Sequence, residues 1–159
     1  GVCAANNRRD VICLEGDGSI MMNLQELQTV KTNKLPLKIF VLKNGEYISI
    51  IQTQRNFLDG RLTGCNVQSG VEVPDFVKVA EAFGLPAVRI SANNELADKI
   101  QQVLDMTGPV VCEVDCTENY TFAPKLSARK LPDGTMISPS LEDMYPFLDR
   151  KEMEENTIK

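Results

Sequence analysis

Two glycine-containing turns carry the polar residues with the clearest chemical potential. Asp17 stands between Gly16 and Gly18 (the Asp17 turn, residues 16–18), and Asn44 precedes Gly45 (the Asn44 turn, residues 44–46). Glycine permits positive φ angles and lets a ligand approach the main chain closely. Carboxylate and amide oxygens are ligands that a hard cation such as Mg²⁺ prefers. If the two turns lie side by side, they can hold a metal ion.

The segment after Asp17 predicts an anion site beside that ion. Apolar residues recur there at helical spacing, namely Ile20, Leu24, Leu27 and Val30. They predict a helix that begins at Ser19 or Ile20, with Ser19 as its N-cap. The free N–H groups and the dipole at such a terminus favour a phosphate group. A carboxylate would repel that phosphate unless a cation such as Mg²⁺ lay between them, and the alternative is that both segments are only turns.

The elements that must position these turns alternate along the chain. Short apolar segments predict strands at residues 10–14, 37–42, 86–90 and 110–114, and helical patterns lie at residues 47–57, 74–83 and 94–106. This order predicts an α/β fold, a doubly wound parallel sheet with helices on both faces. Both turns then follow the carboxyl ends of strands, where ligands bind in such sheets. Residues 59–73 form either a surface connection or a loop that orders with substrate.

Composition narrows the function classes. There are 22 acidic against 17 basic residues, which argues against a nucleic-acid binder. No apolar run is long enough to span a membrane and no leader is recognisable, so we expect a cytoplasmic protein. The chain has no histidine, which removes a Ser–His or Cys–His catalytic pair. Five irregularly spaced cysteines predict structural thiols rather than a zinc site.

The residues 16–19, followed at this spacing by Asn44, resemble the thiamine diphosphate motif, in which Gly-Asp-Gly precedes a pair of asparagines. The flanking text resembles the large catalytic subunit of acetolactate synthase and its relatives, and it reads GDGSIMMNLQELQTVKTNKLPLKIFVLKNGEY. The similarity continues through residues 51–54 and 74–84. It covers the chain from about residue 1 to about residue 115.

The resemblance implies a role for each matching residue. Asp17 and Asn44 would bind Mg²⁺ through their side chains, and the main-chain carbonyl of Glu46 would be the third protein ligand. Gly18 and Ser19 would face the diphosphate. The other cofactor-binding residues implied in this way are Gly16, Tyr47 and Ile48, with Gln52 beside the substrate channel.

The sequence departs from the resembled motif at two positions. Lys43 replaces the first asparagine of the pair, which leaves the metal-ligand position intact. Thr53 stands where relatives that make acetohydroxy acids often carry a tryptophan that narrows the substrate channel. Because of the second departure, the resemblance does not identify the substrate, although it still identifies the cofactor.

The resemblance implies a thiamine diphosphate-dependent enzyme that acts on 2-oxo acids by decarboxylation with carboligation. In that family the activating glutamate lies in a separate, amino-terminal pyrimidine domain, usually of a partner subunit. We therefore expect residues 1–116 to be the diphosphate- and Mg²⁺-binding domain of a longer, homo-oligomeric protein, with no catalytic residue of its own and no activity alone. The irregular tail, residues 117–159, would cover the active-site entrance and contain one short helical turn within residues 140–148. An FAD would belong to a middle domain outside this chain.

Alternative functions remain open at this stage. A sister reaction is that of a non-ligating 2-oxo acid decarboxylase or a lyase. A second class is a non-catalytic doubly wound module for a nucleotide or phosphate, although the sequence lacks both the GxGxxG fingerprint and the P-loop motif. A purely structural interaction domain would leave the Asp17–Asn44 spacing unexplained. The choice between amino-acid and surface-sugar synthesis also stays open.

Overall fold

The computed structural model describes residues 1–7, 9–117, 123–131 and 133–157, with only the main chain described at residues 129–130. The chain divides into two units, Gly1–Asn119 and Tyr120–Lys159, and each is described by itself. Among the described residues, no helix combines the length and the apolar character needed to cross a membrane.

Four strands of the first unit form one sheet in which every pairing is parallel. They are β1 (Val11–Gly16), β2 (Leu37–Lys43), β3 (Ala87–Ile90) and β4 (Val110–Asp115), in the order β1-β2-β4-β3. Each predicted strand is present, although β1 and β4 run further toward their carboxyl ends than predicted. The carboxyl ends of all the strands therefore lie along one edge of the sheet.

Helices cover both faces of this sheet. The helices of the first unit are α1 (Val2–Ala5), α2 (Asp17–Ile20), α3 (Glu26–Thr32), α4 (Ile48–Phe57), α5 (Phe76–Ala82) and α6 (Leu96–Asp105). On one face, apolar residues of α3 and α5 pack on β2 and β4 in a cluster that includes Leu27, Ile39, Val41, Phe76, Ala80 and Val111. On the other face, α6 packs on the sheet in a cluster that includes Phe40, Ile90, Val103 and Cys112. The predicted doubly wound α/β fold is confirmed.

The helix after the Asp17 turn begins earlier than predicted. Gly16 is extended, with φ −85° and ψ 153°, and is the N-cap of α2, so the helix begins at Asp17. The prediction of Ser19 as N-cap is wrong, because Ser19 lies inside α2. After Ile20 the main chain continues with turns, in which the N–H of Met22 donates to Ser19 and that of Asn23 to Ile20. The predicted single helix is therefore split into α2 and α3.

Two large apolar side chains of the helices do not reach the core. Val103 of α6 is fully buried, but Ile100 is exposed. Likewise Ile51 of α4 is buried, whereas Phe57 at the end of that helix is half exposed. The helical periodicity thus predicts the inward side of each helix, but not which of its apolar residues are buried.

A capping aspartate fixes the start of α5. The helix begins at Phe76, two residues after the predicted start, and the Asp75 carboxylate accepts the N–H of Lys78 at 3.0 Å. Asp75 also pairs with the Arg89 guanidinium at 2.8 Å. Hydrogen bonds from Arg89, and then from the Lys78 N–H, lower the pKa of Asp75 from 3.8 to about 2.

This lowered pKa predicts a specific acid response. A carboxyl group whose pKa is lower in the folded state stabilises the fold above its unfolded pKa, and the stabilisation is lost as the pH falls through the folded value. We expect the gap in melting temperature between the unaltered chain and Asp75→Asn to be constant well above pH 3.8 and to shrink from there to about pH 2. Thermal melts across this range, with Asp98→Asn on the exposed face of α6 as control, measure it. A gap that persists undiminished at pH 2 would contradict the assignment.

The second unit has more regular structure than the predicted irregular tail. Strands β5 (Arg129–Lys130) and β6 (Met136–Ile137) pair antiparallel, and α7 spans Arg150–Asn156. The Arg150 guanidinium donates to both oxygens of the nearly buried Asp143 carboxylate, at 2.7 and 3.0 Å. Within residues 140–148, where one short helical turn was predicted, the N–H of Asp143 donates to the carbonyl of Ser140 at 3.1 Å and closes a single turn that does not continue as a helix. The helix α7 begins only after Asp149, whose side chain caps it.

Candidate functional site

The Asp17 side chain joins the two glycine turns. It is 2% exposed and lies directly after β1. Its Oδ1 accepts the N–H of Gly18 at 2.7 Å, and its Oδ2 accepts the N–H groups of Asn44 and Gly45 at 2.9 and 2.7 Å. The structure therefore brings the Asp17 turn and the Asn44 turn together at the carboxyl edge of neighbouring strands.

The Asn44 turn presents further oxygen atoms beside Asp17. Gly45 has a φ of +77°, which a residue with a side chain rarely adopts. This conformation allows Asn44 Oδ1 to accept the N–H of Glu46 at 2.9 Å. A carbonyl or carboxylate oxygen has two lone pairs. With these contacts, Asn44 Oδ1 and Asp17 Oδ1 each retain an acceptor site for a cation.

Glu46 carries an unusual carboxylate. Its Oε2 is buried and has no hydrogen-bond partner within the described part of the chain. Burying a polar oxygen without a partner costs free energy, so such atoms in native structures call for an explanation. The described residues contain no group of three His, Cys, Asp or Glu side chains arranged for a metal ion. A cation here would therefore depend on amide, main-chain and ligand oxygens as well as on Asp17.

Tyr47 lies so close to Gly18 that no side chain fits there. A Cβ atom built on Gly18 would lie 2.6 and 2.7 Å from two atoms of the Tyr47 ring. The Tyr47 N–H is itself held by the carbonyl of Cys65 at 2.8 Å. Of the other predicted site residues, Ser19 is exposed and Ile48 is buried at the start of α4.

Side-chain hydrogen bonds tie the segment at residues 59–73 to α4. The Gln54 side chain accepts the N–H of Thr63 at 2.9 Å and donates to its carbonyl at 3.0 Å. Asn66 and Ser69 cap each other around a short 3₁₀ helix, Val67–Ser69. Cys65, which holds Tyr47, is fully buried. These contacts hold the segment on α4, and both the surface connection and the loop that orders with substrate stay predictions.

Sequence reasoning missed Cys116 as a neighbour of the site. Its N–H donates to the carbonyl of Lys43 at 2.7 Å, and it follows β4 at the same sheet edge. Burial raises the pKa of the Cys116 thiol, and the carboxylates of Asp17 and Asp115 raise it further. The thiol is therefore protonated at neutral pH and is a poor nucleophile. Like Asp17 and Asn44, Cys116 directly follows a strand, and this position in the sequence could have predicted that it lies beside the site.

Comparison with known proteins identifies the family to which this chain belongs. The family described as "Thiamine pyrophosphate enzyme, C-terminal TPP binding domain" matches residues 1–114. The chain belongs to this family. The match contains both glycine turns, strands β1 to β3 and all of β4 except Asp115, so the predicted membership of the thiamine diphosphate (TPP) enzymes is confirmed.

The relatives of this TPP-binding domain include acetolactate synthases. The large subunit from Cyanidium caldarium is 36% identical over 121 residues, which cover 75% of this chain and 20% of the relative. The large subunit from Pyropia yezoensis is 35% identical over 130 residues, 82% of this chain and 22% of the relative. Acetolactate synthase 1 from Zea mays, a chloroplastic protein, is 34% identical over 72% of this chain. The chain spans about a fifth of the length of these relatives.

Proposed function

We propose that this domain holds the diphosphate of TPP through a Mg²⁺ ion. The protein ligands would be the side-chain oxygens of Asp17 and Asn44 and the main-chain carbonyl of Glu46. The observation that carries this proposal is the buried Asp17 carboxylate, which joins the two turns by accepting three main-chain N–H groups. The same contacts hold the Asp17 carboxylate beside the Asn44 turn, which supports this choice of ligands.

The residues present fit a hard divalent ion. All the proposed ligands are oxygen atoms, and Mg²⁺ typically takes one or two carboxylates together with substrate phosphates and waters. The Oε2 atom of Glu46, which is buried and has no hydrogen-bond partner among the described residues, adds negative charge at the same turn. Two carboxylates beside a diphosphate are compatible only if a cation offsets their repulsion.

The remaining site residues would shape the cofactor pocket. Gly18 has no side chain, which leaves room for the Tyr47 ring against the Asp17 turn, and its main chain would face the diphosphate. Ser19 exposes its hydroxyl on α2, where it can donate to a phosphate oxygen. Gly16, Tyr47 and Ile48 complete the proposed binding set, with Gln52 beside the substrate.

The similarity to acetolactate synthases supports a 2-oxo acid chemistry for the whole protein. Bound TPP supplies the electron sink for decarboxylation. The residues of this domain would bind and orient the cofactor, and an activating carboxylate would come from a pyrimidine domain of the same or a partner subunit. We propose decarboxylation followed by carboligation, as in acetolactate synthase, in a homo-oligomer. An FAD would be held elsewhere in the protein.

Calorimetric titration of this chain with TPP, with and without Mg²⁺, tests the proposed binding. We expect TPP to bind in a Mg²⁺-dependent manner and ATP to bind at least tenfold more weakly. Equal binding of ATP would favour a general phosphate-binding module. If a folded chain does not bind TPP, the titration is repeated on the complete gene product. Absence of Mg²⁺-dependent binding there would refute the proposal.

Product analysis tests the reaction. Incubation of the complete gene product with pyruvate, TPP and Mg²⁺ should give acetolactate. Acetaldehyde as the main product would instead support the non-ligating decarboxylase. The Thr53 hydroxyl donates a hydrogen bond to the carbonyl of Ser49 within α4. Thr53 is also smaller than the tryptophan that acetohydroxy acid-forming relatives often carry at this position. The product assay therefore decides between carboligation and simple decarboxylation, which the residues of the cofactor site do not distinguish.

A further inference from the structure

A fully buried carboxylate lies beneath the Asn44 turn, on the side of the sheet covered by α5. Glu113 of β4 is 0% exposed. Its Oε1 accepts a hydrogen bond from the Lys43 ammonium at 3.2 Å and one from Arg89 Nε at 2.8 Å. Its Oε2 accepts the N–H of Phe76, the first residue of α5, at 2.6 Å. A single carboxylate thus ties together the ends of β2, β3 and α5.

Lys43 connects this carboxylate to the metal-ligand residue. It is the last residue of β2 and directly precedes Asn44. Its side chain is held by Glu113, and its carbonyl accepts the N–H of Cys116 at 2.7 Å. The hydrogen bond from Cys116 fixes the main chain of Lys43. The contact with Glu113 fixes the direction in which β2 enters the Asn44 turn.

The charges in this cluster balance. Lys43 and Arg89 both face Glu113, and Arg89 also pairs with Asp75. A buried carboxylate without a counter-charge is strongly unfavourable, and Lys43 and Arg89 each supply a positive charge to Glu113, which favours the Lys43 side chain in this position. Charge-assisted hydrogen bonds of this kind are stronger and geometrically more restrictive than neutral ones.

We propose that Lys43, anchored on Glu113, is a positioning residue that holds the Asn44 turn in its metal-binding conformation. This inference rests on the proposed function for the identity of the ion. Residues that orient a metal ligand typically change metal affinity by about 10- to 100-fold when they are replaced. A purely structural Lys43 would affect only the stability of the fold.

Replacement of Lys43 with Met tests this role against a matched control on the same strand. Lys38 is buried, whereas the Lys43 side chain is 25% exposed, and the Lys38 ammonium donates to the carbonyls of Met106 and Gly108 at the opposite end of β2. Lys43→Met should weaken Mg²⁺ binding about tenfold at saturating TPP. Lys38→Met should lower the melting temperature and leave the Mg²⁺ affinity within twofold of the unaltered chain. Lys43→Arg, which keeps a cation against Glu113, should recover most of the affinity.

Hydrogen exchange in the ligand-free chain provides a measurement that does not depend on cofactor binding. Lys43→Met should accelerate exchange of the Asn44 and Gly45 amides, which are bonded to Asp17, about tenfold more than Lys38→Met does. Unchanged exchange at these amides, or equal acceleration in both variants, would overturn the positioning role. If the exchange result holds but the unaltered protein binds no Mg²⁺, the proposed function fails and the positioning of the turn stands.

Discussion

Replacement of Asp17 with Ala should abolish Mg²⁺-dependent binding of TPP and also destabilise the fold. The substitution removes the only side-chain carboxylate among the three proposed protein ligands. It also leaves the N–H groups of Gly18, Asn44 and Gly45 without their acceptor. Lost bonds to a charged acceptor and unsatisfied buried donors together cost about 2–5 kcal/mol, a large part of the total stability of a typical domain.

A second substitution separates the two effects. Asp17→Asn keeps the volume and one oxygen acceptor but loses the negative charge, so it should fold better than Asp17→Ala while binding TPP at least 100-fold more weakly in Mg²⁺. Calorimetric titration gives the affinity, and urea denaturation gives the free energy of unfolding. Asp98→Ala on the exposed face of α6 is the control and should change neither. Normal Mg²⁺-dependent binding by a folded Asp17→Asn chain would show that the ion is held elsewhere.

The sequence predicted the fold because its apolar patterns are locally unambiguous. The segment of β2 is almost wholly apolar, and in the structure Ile39 and Val41 face one packed cluster while Phe40 faces the other. This is the pattern expected of a strand covered on both faces. Helix termini were less predictable, since α2 begins at Asp17 through the conformation of Gly16 and not through a side-chain cap at Ser19.

The contact between the two glycine turns was predictable, but the groups that support it were not. Asp17 and Asn44 each follow a strand, and parallel strands bring such positions to one edge. The Lys43–Glu113 pair joins residues that are far apart in the sequence. In its local sequence, Glu113 is only an acidic residue within an otherwise apolar segment, and nothing there indicates its partner. The same holds for Cys65, whose carbonyl fixes Tyr47. Contacts of this kind depend on tertiary geometry, which periodicity and turn chemistry do not encode.

Replacement of Gly18 with Ala should weaken TPP binding through a steric effect on Tyr47. The added methyl group would lie 2.6 and 2.7 Å from ring atoms of Tyr47, closer than nonbonded carbon atoms approach. Because the Tyr47 main chain is held by Cys65, the ring must rotate or the Asp17 turn must shift. Overpacking of this size typically costs about 1–3 kcal/mol of stability. Movement of either group would also disturb the proposed diphosphate site, so we expect at least a tenfold loss of TPP affinity.

A double-mutant cycle identifies the origin of that loss. If the clash with the Tyr47 ring is the cause, Gly18→Ala should be far less damaging in a Tyr47→Ala background, and the two effects should be non-additive. Urea denaturation and TPP titration of the four proteins provide both coupling free energies. Additive effects on stability would mean that the methyl group disturbs α2 itself and not its contact with Tyr47. Rescued stability without rescued affinity would instead show that the Tyr47 ring contributes to cofactor binding, so that the glycine is needed to place an aromatic group beside the diphosphate.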